Sequence, residues 1–63
     1  MGYKVKEVRE EKRMTQEELA EKSGVSRPTI VAIENNEAKD VKISTLLKLA
    51  SALDTTVSDI FFS

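Results

Sequence analysis

Apolar residues recur three and four positions apart through most of the chain. No stretch alternates apolar and polar residues for long enough to suggest a strand, so the pattern predicts an all-α protein. A first helix is expected from about Tyr3 to Arg13, with Val5 and Val8 on one face and Lys, Arg and Glu on the others. After Met14, the stretch TQEE supplies Thr15 as N-cap and Glu18 three residues on. That is the capping-box spacing, and it places a second helix from about Gln16 to Lys22. Gly24 ends this helix, because glycine takes a left-handed terminal conformation without the penalty a Cβ would bring.

Only Val25 then separates the glycine from Ser26, a good N-cap for a third helix. Pro28 falls in the first turn, where its missing N–H removes no intrahelical bond. Ile30 and Ile33 face inward, and Asn35-Asn36 ends the helix. Residues 37–42, EAKDVK, read as a polar loop. A fourth helix is expected from about Ile43 to Leu53, its inner face built from Ile43, Leu46, Leu47, Leu49, Ala50 and Leu53. A last short helix opens at Thr56, with Asp59 completing a second Thr-x-x-acid cap, and carries Val57, Ile60 and Phe61. The expectation is five short helices around one core, with residues 1–63 forming a single domain and no repeat, linker or low-complexity segment.

Composition narrows the chemistry. A chain of 63 residues buries only about 60% of its unfolded surface and has no material for a second core. It contains no cysteine and no histidine, so there is no disulfide framework, thiolate nucleophile or soft metal site, and no side chain that ordinarily titrates near neutrality. It also lacks a glycine-rich phosphate loop, and its carboxylates are scattered over solvated faces. No enzyme is expected, and no cofactor. Apolar runs are short, such as Leu46-Leu47 and Ile60-Phe61-Phe62, so no membrane span or signal peptide is expected and the reading is cytoplasmic.

The net charge of −1 argues on its face against a nucleic-acid partner. Its distribution argues otherwise. Residues 1–13 carry five bases against three acids, while GVSRPTIVAIENN, residues 24–36, carries Arg27 and no other charge before Glu34. Two short helices joined by a tight glycine turn outline a helix-turn-helix. The spacing of Ala20, Gly24, Ile30 and Ile33 sharpens that outline: a small residue for close approach, a glycine for the turn, and two β-branched residues to lock the angle between the helices.

The stretches VKEVREEKRM, TQEELAEKSGVSRPTIVAIENN and ISTLLKLASALDTTVSDIF together resemble the phage repressor/Cro-like family of helix-turn-helix regulators, over nearly the whole chain. The resemblance implies a five-helix DNA-binding domain, with a helix-turn-helix at about 15–35, whose second motif helix enters the major groove. Carried over residue by residue, it assigns base-edge contact to Arg27, Pro28, Thr29 and Ala32, with Val31 beside them. Arg27 is the strongest of these, able to form a bidentate pair with guanine. Gln16 matches a family position that bonds a phosphate and sometimes a base edge, next to the Thr15 cap and the positive end of the helix dipole. Asn35, Lys39 and Lys42 match the loop that touches the DNA backbone. Arg9 and Glu34 match an ion pair between the first and third helices.

Some positions depart from the family pattern. Asn36 and Asp54 stand where glycine is usual, and Lys42 precedes the fourth helix where Pro-Ser is common, leaving that helix without its usual cap. Pro28 replaces a frequently polar residue, which narrows direct readout. The resulting expectation is a sequence-specific double-stranded DNA-binding transcriptional regulator, a repressor, acting as a homodimer on a two-fold symmetric operator. Ile60 and Phe62 would supply the dimer contact, and no small-molecule effector site is evident. The alternatives are the DNA-binding antitoxin of a toxin–antitoxin pair, or a protein-interaction module that has lost DNA binding.

Overall fold

The first helix begins later than the sequence pattern suggests, because the chain ends pair with each other. In the computed structural model, which describes the backbone of residues 2–62 and the side chains of 3–61, Gly2–Tyr3 (β1) runs antiparallel to Phe61–Phe62 (β2), with Tyr3 opposite Phe61. Tyr3 is therefore a strand residue and not the start of a helix. The Lys4 N–H donates to the Ile60 carbonyl at 2.8 Å, extending the pairing, and the Tyr3 and Phe61 rings meet with centroids 5.4 Å apart. Two residues are too few for an alternating pattern, so this strip left no signal in the sequence.

Five helices lie between the strands: α1 (Val5–Glu11), α2 (Gln16–Ser23), α3 (Arg27–Glu34), α4 (Ile43–Ala52) and α5 (Val57–Ile60). The fold is all-α apart from the two-residue pairing of the ends. Three of the helices end alike. Arg13, Asn36 and Asp54 have left-handed φ of 56°, 59° and 54°, and the next amide bonds back five residues: Met14 to Arg9, Glu37 to Ala32 and Thr55 to Ala50. Asn and Asp tolerate that conformation, whereas Arg13 carries no sequence signal for it.

The second helix is the one that ends on glycine. Gly24 sits at φ 76° with no neighbouring atom within 4 Å of where a Cβ would stand, so it is backbone conformation and not space that favours glycine there. At the other end of α2 the capping box is complete: the Glu18 N–H donates to the Thr15 hydroxyl at 3.0 Å, and the Thr15 N–H donates to the Glu18 carboxylate at 2.9 Å. The second Thr-x-x-acid pattern does not close in this way. Thr56 caps α5 with no side-chain bond to a helix N–H, its hydroxyl sharing a hydrogen with the Ser58 hydroxyl at 3.0 Å, and Asp59 accepts the Thr55 hydroxyl at 2.6 Å.

These bonds predict an acid-sensitive element. The Glu18 carboxyl is held below the usual glutamate value by the Thr15 backbone N–H first and its hydroxyl second. The folded value is the depressed one, so the cap's contribution is present above the ordinary value of 4.5 and is lost as pH falls through the lower folded value. Glu18→Gln keeps an acceptor and removes the titration. Helix melting followed by circular dichroism should then lose this residue's share of the acid dependence, and unchanged acid dependence would show that the cap does not couple to folding.

The core comprises Val5, Leu19, Val25, Ile30, Ile33, Leu46, Leu49, Ala50, Ala52, Leu53 and Ile60, drawn from all five helices and the turn. Each fully buried leucine or isoleucine contributes about 1.5–3 kcal/mol over its exposed state. Two expectations for α4 fail here. Ile43 and Leu47 do not belong to its inner face and are 65% and 55% exposed. The helix packs against α2 and α5 through Leu46, Leu49 and Ala50, and in a domain with one core the other side of α4 has nothing to meet. Among the described residues, no helix is long and apolar enough to cross a membrane.

Candidate nucleic-acid interface

The geometry of α3 follows from its first turn. The Ser26 hydroxyl accepts the Thr29 N–H at 3.4 Å and shares a hydrogen with the Thr29 hydroxyl at 2.8 Å, while Pro28 occupies a first-turn position that needs no donor. Ile30 and Ile33 are fully buried, which fixes the rotation of the helix about its axis. Arg27, Pro28 and Thr29 are consequently exposed, with Val31 and Ala32 half-buried beside them. The first turn carries no acidic residue.

The one carboxylate of α3 is taken out of the way. Arg9 Nε donates to Glu34 Oε2 at 2.8 Å and Nη2 to Oε1 at 3.2 Å, a two-pronged bond, while Nη1 donates to the Met14 carbonyl at 2.7 Å. The Arg9 side chain is 11% exposed and that of Glu34 only 2%. The Glu34 bond raises the Arg9 guanidinium above its ordinary value, against the opposing effect of burial.

A third residue completes the network. The Gln16 amide donates to Glu34 Oε1 at 2.9 Å, joining the start of α2 to the end of α3. The family resemblance offers Gln16 as a DNA ligand and does not indicate this bond. Its partner lies eighteen residues away, and no local spacing links the two. One of its two amide hydrogens is thus committed to Glu34, and the other is what remains for an external acceptor. Arg9, Gln16 and Glu34 together tie α1, α2 and α3 into one unit.

The loop residues lie at the surface. Asn35 caps α3 and is exposed, and Lys39 and Lys42 are exposed on either side of the half-buried Val41. Lys42 occupies the N-cap position of α4 and makes no side-chain bond to the helix. Thr15, exposed at the start of α2, spends its hydroxyl on the capping box.

The expected dimer contact is corrected in part. Ile60 is fully buried in the core and unavailable to a second copy. The Phe62 side chain lies outside the described residues.

Comparison with known proteins places this geometry. The helix-turn-helix family profile matches residues 5–60. An uncharacterized helix-turn-helix-type transcriptional regulator of Methanocaldococcus jannaschii is 41% identical over 61 residues, which cover 97% of this chain and 91% of that protein. The helix-turn-helix-type transcriptional regulator SinR of Bacillus subtilis is 37% identical over 57 residues, 90% of this chain and 51% of SinR. A solved SinR protein/SinI protein complex superposes with a TM-score of 0.84 at 36% identity, covering 89% of this chain and 54% of the matched one. The chain therefore spans about half the length of SinR.

Proposed function

The chain belongs to the helix-turn-helix family of DNA-binding transcriptional regulators, and from that premise we propose that it is a sequence-specific repressor reading the major groove of double-stranded DNA with α3. The observation that carries this reading is the outer face of α3. It exposes Arg27, Pro28 and Thr29 in a first turn without acidic residues, and the helix's one carboxylate, Glu34 at its far end, is turned inward and paired with Arg9. An acidic chain can approach phosphates if the surface that does so has been cleared of carboxylates.

In this reading Arg27 pairs with a guanine edge, and Thr29 contacts a base while held by Ser26. Pro28 and Ala32 make apolar contact. Thr15, Gln16, Asn35, Lys39 and Lys42 contact phosphates, setting the register without reading sequence. The molecule's longest dimension is 25 Å, less than the separation of about 34–36 Å between half-sites one helical turn apart. One copy reads one half-site, and a homodimer reads a two-fold symmetric operator.

Selection of bound duplexes from a random DNA pool, with sedimentation of the complex in the same buffer, tests this. Enrichment of a two-fold symmetric site bound by two chains is expected, with affinity falling by about 0.9 log units per tenfold rise in salt for each phosphate neutralised. If nothing enriches at low salt, the chain is a protein-interaction module on the same fold.

A further inference from the structure

Among the described residues, Ile43 and Leu47 are the large apolar side chains left mostly exposed, and they lie four residues apart on α4, stacked on one face. A single exposed leucine needs no explanation, but two large ones stacked on a helix face form a stripe of the kind that binds a partner. Leu47 opens onto a groove of about 380 Å³ whose other walls are Lys22 and Ser23 at the end of α2 and Lys48, Ser51 and Ala52 on α4. The lining holds two lysines, two hydroxyls and no carboxylate. None of the residues assigned to DNA contact lines it.

The charge of this rim decides among occupants. Two-fold pairing of a second copy through the groove would set lysines against lysines in a desolvated contact, which is unfavourable. A phosphate backbone would meet the lysines but gain nothing from the leucine. We infer that the face formed by Ile43, Leu47, Lys22 and Lys48 binds an acidic amphipathic helix of another protein. The partner's apolar stripe lies over Ile43 and Leu47, and its flanking carboxylates reach the two lysines. The groove shares no residue with the assigned base contacts, while Ile43 directly follows Lys42, one of the assigned phosphate contacts.

The test selects a phage-displayed library of random peptides, each about four helical turns long, against the purified full chain. The enriched peptides are synthesised and their binding site is located by amide chemical-shift changes. The expected winners carry a helical apolar stripe flanked by Asp and Glu, and the shifts cluster at Lys22, Ile43, Leu47 and Lys48. Leu47→Ser should weaken binding about tenfold or more, as loss of an apolar anchor does, with the melting curve of the chain unchanged. Lys22→Glu with Lys48→Glu should reverse the preference toward Lys-flanked peptides. The inference is overturned if no peptide enriches, if the winners lack acidic residues, or if the shifts fall on another face. It is also overturned if sedimentation of the free chain shows a dimer that Leu47→Ser dissociates.

Discussion

Arg27→Ala should abolish discrimination at one base pair of each half-site while leaving the fold intact. A bidentate arginine–guanine pair is worth about 1–3 kcal/mol of discrimination, so the preference for guanine over another base at that position should fall by about 5- to 150-fold. Arg27 is exposed at the start of α3, outside the core, and alanine is a good helix former, so the melting temperature should not fall. The measurement is competition between the selected operator and versions substituted one base pair at a time, run on both proteins. Lys39→Ala provides the contrast: removing a phosphate-binding charge there should weaken binding to all sequences and reduce the salt slope by about one unit. An unchanged base preference in the arginine variant would sink the assignment of Arg27 to a base edge.

Thr29→Ala should have a smaller effect than the arginine change, because its hydroxyl is already shared with Ser26. The same local bonds explain why this part of the molecule is legible in the sequence. Ser26, Pro28, Gly24 and the Thr15–Glu18 box all act within a few residues of themselves, so their chemistry is written in consecutive letters. What is not legible is long-range or depends on competition for one core. The pairing of Gly2–Tyr3 with Phe61–Phe62 joins the two ends of the chain, and the bond from Gln16 to Glu34 spans the helix-turn-helix.

The fourth helix shows the competition most clearly. Its sequence offers apolar residues at 43, 46, 47, 49, 50, 52 and 53, more than one face of a helix can bury. Periodicity cannot say which of them the neighbours will cover. Packing against α2 and α5 selects Leu46, Leu49, Ala50, Ala52 and Leu53, and Ile43 and Leu47 become surface. Ile60 fails as a dimer contact for the same reason. Within the short α5, Val57 packs partly against the core and Ile60 is the residue that it buries fully.

Breaking the Arg9–Glu34 pair should have the largest effect on stability. With side chains only 11% and 2% exposed, removal of either partner leaves the other charge in a site built for the pair, a loss of about 3–5 kcal/mol. A domain of this length has a total stability of roughly 3–9 kcal/mol, so Arg9→Ala should leave a large unfolded fraction at 25 °C. The two single changes are not equivalent. Glu34→Ala strands the guanidinium, yet Nη1 keeps the Met14 carbonyl, whereas Arg9→Ala leaves the Glu34 carboxylate with Gln16 as its remaining side-chain donor among the described residues. Arg9→Ala should therefore be the more damaging. Replacing both with apolar residues, Arg9→Met with Glu34→Leu, should recover most of the loss, because the desolvation cost disappears along with the attraction. Denaturant unfolding of the wild type, the singles and the double would measure this, and single variants within about 1 kcal/mol of wild type would mean that the pair behaves as an exposed one. The recovered double variant then separates stability from orientation. If it folds but binds its operator less well, the network's further contribution is to hold α3 at the angle to α1 and α2 from which Arg27 can reach a base.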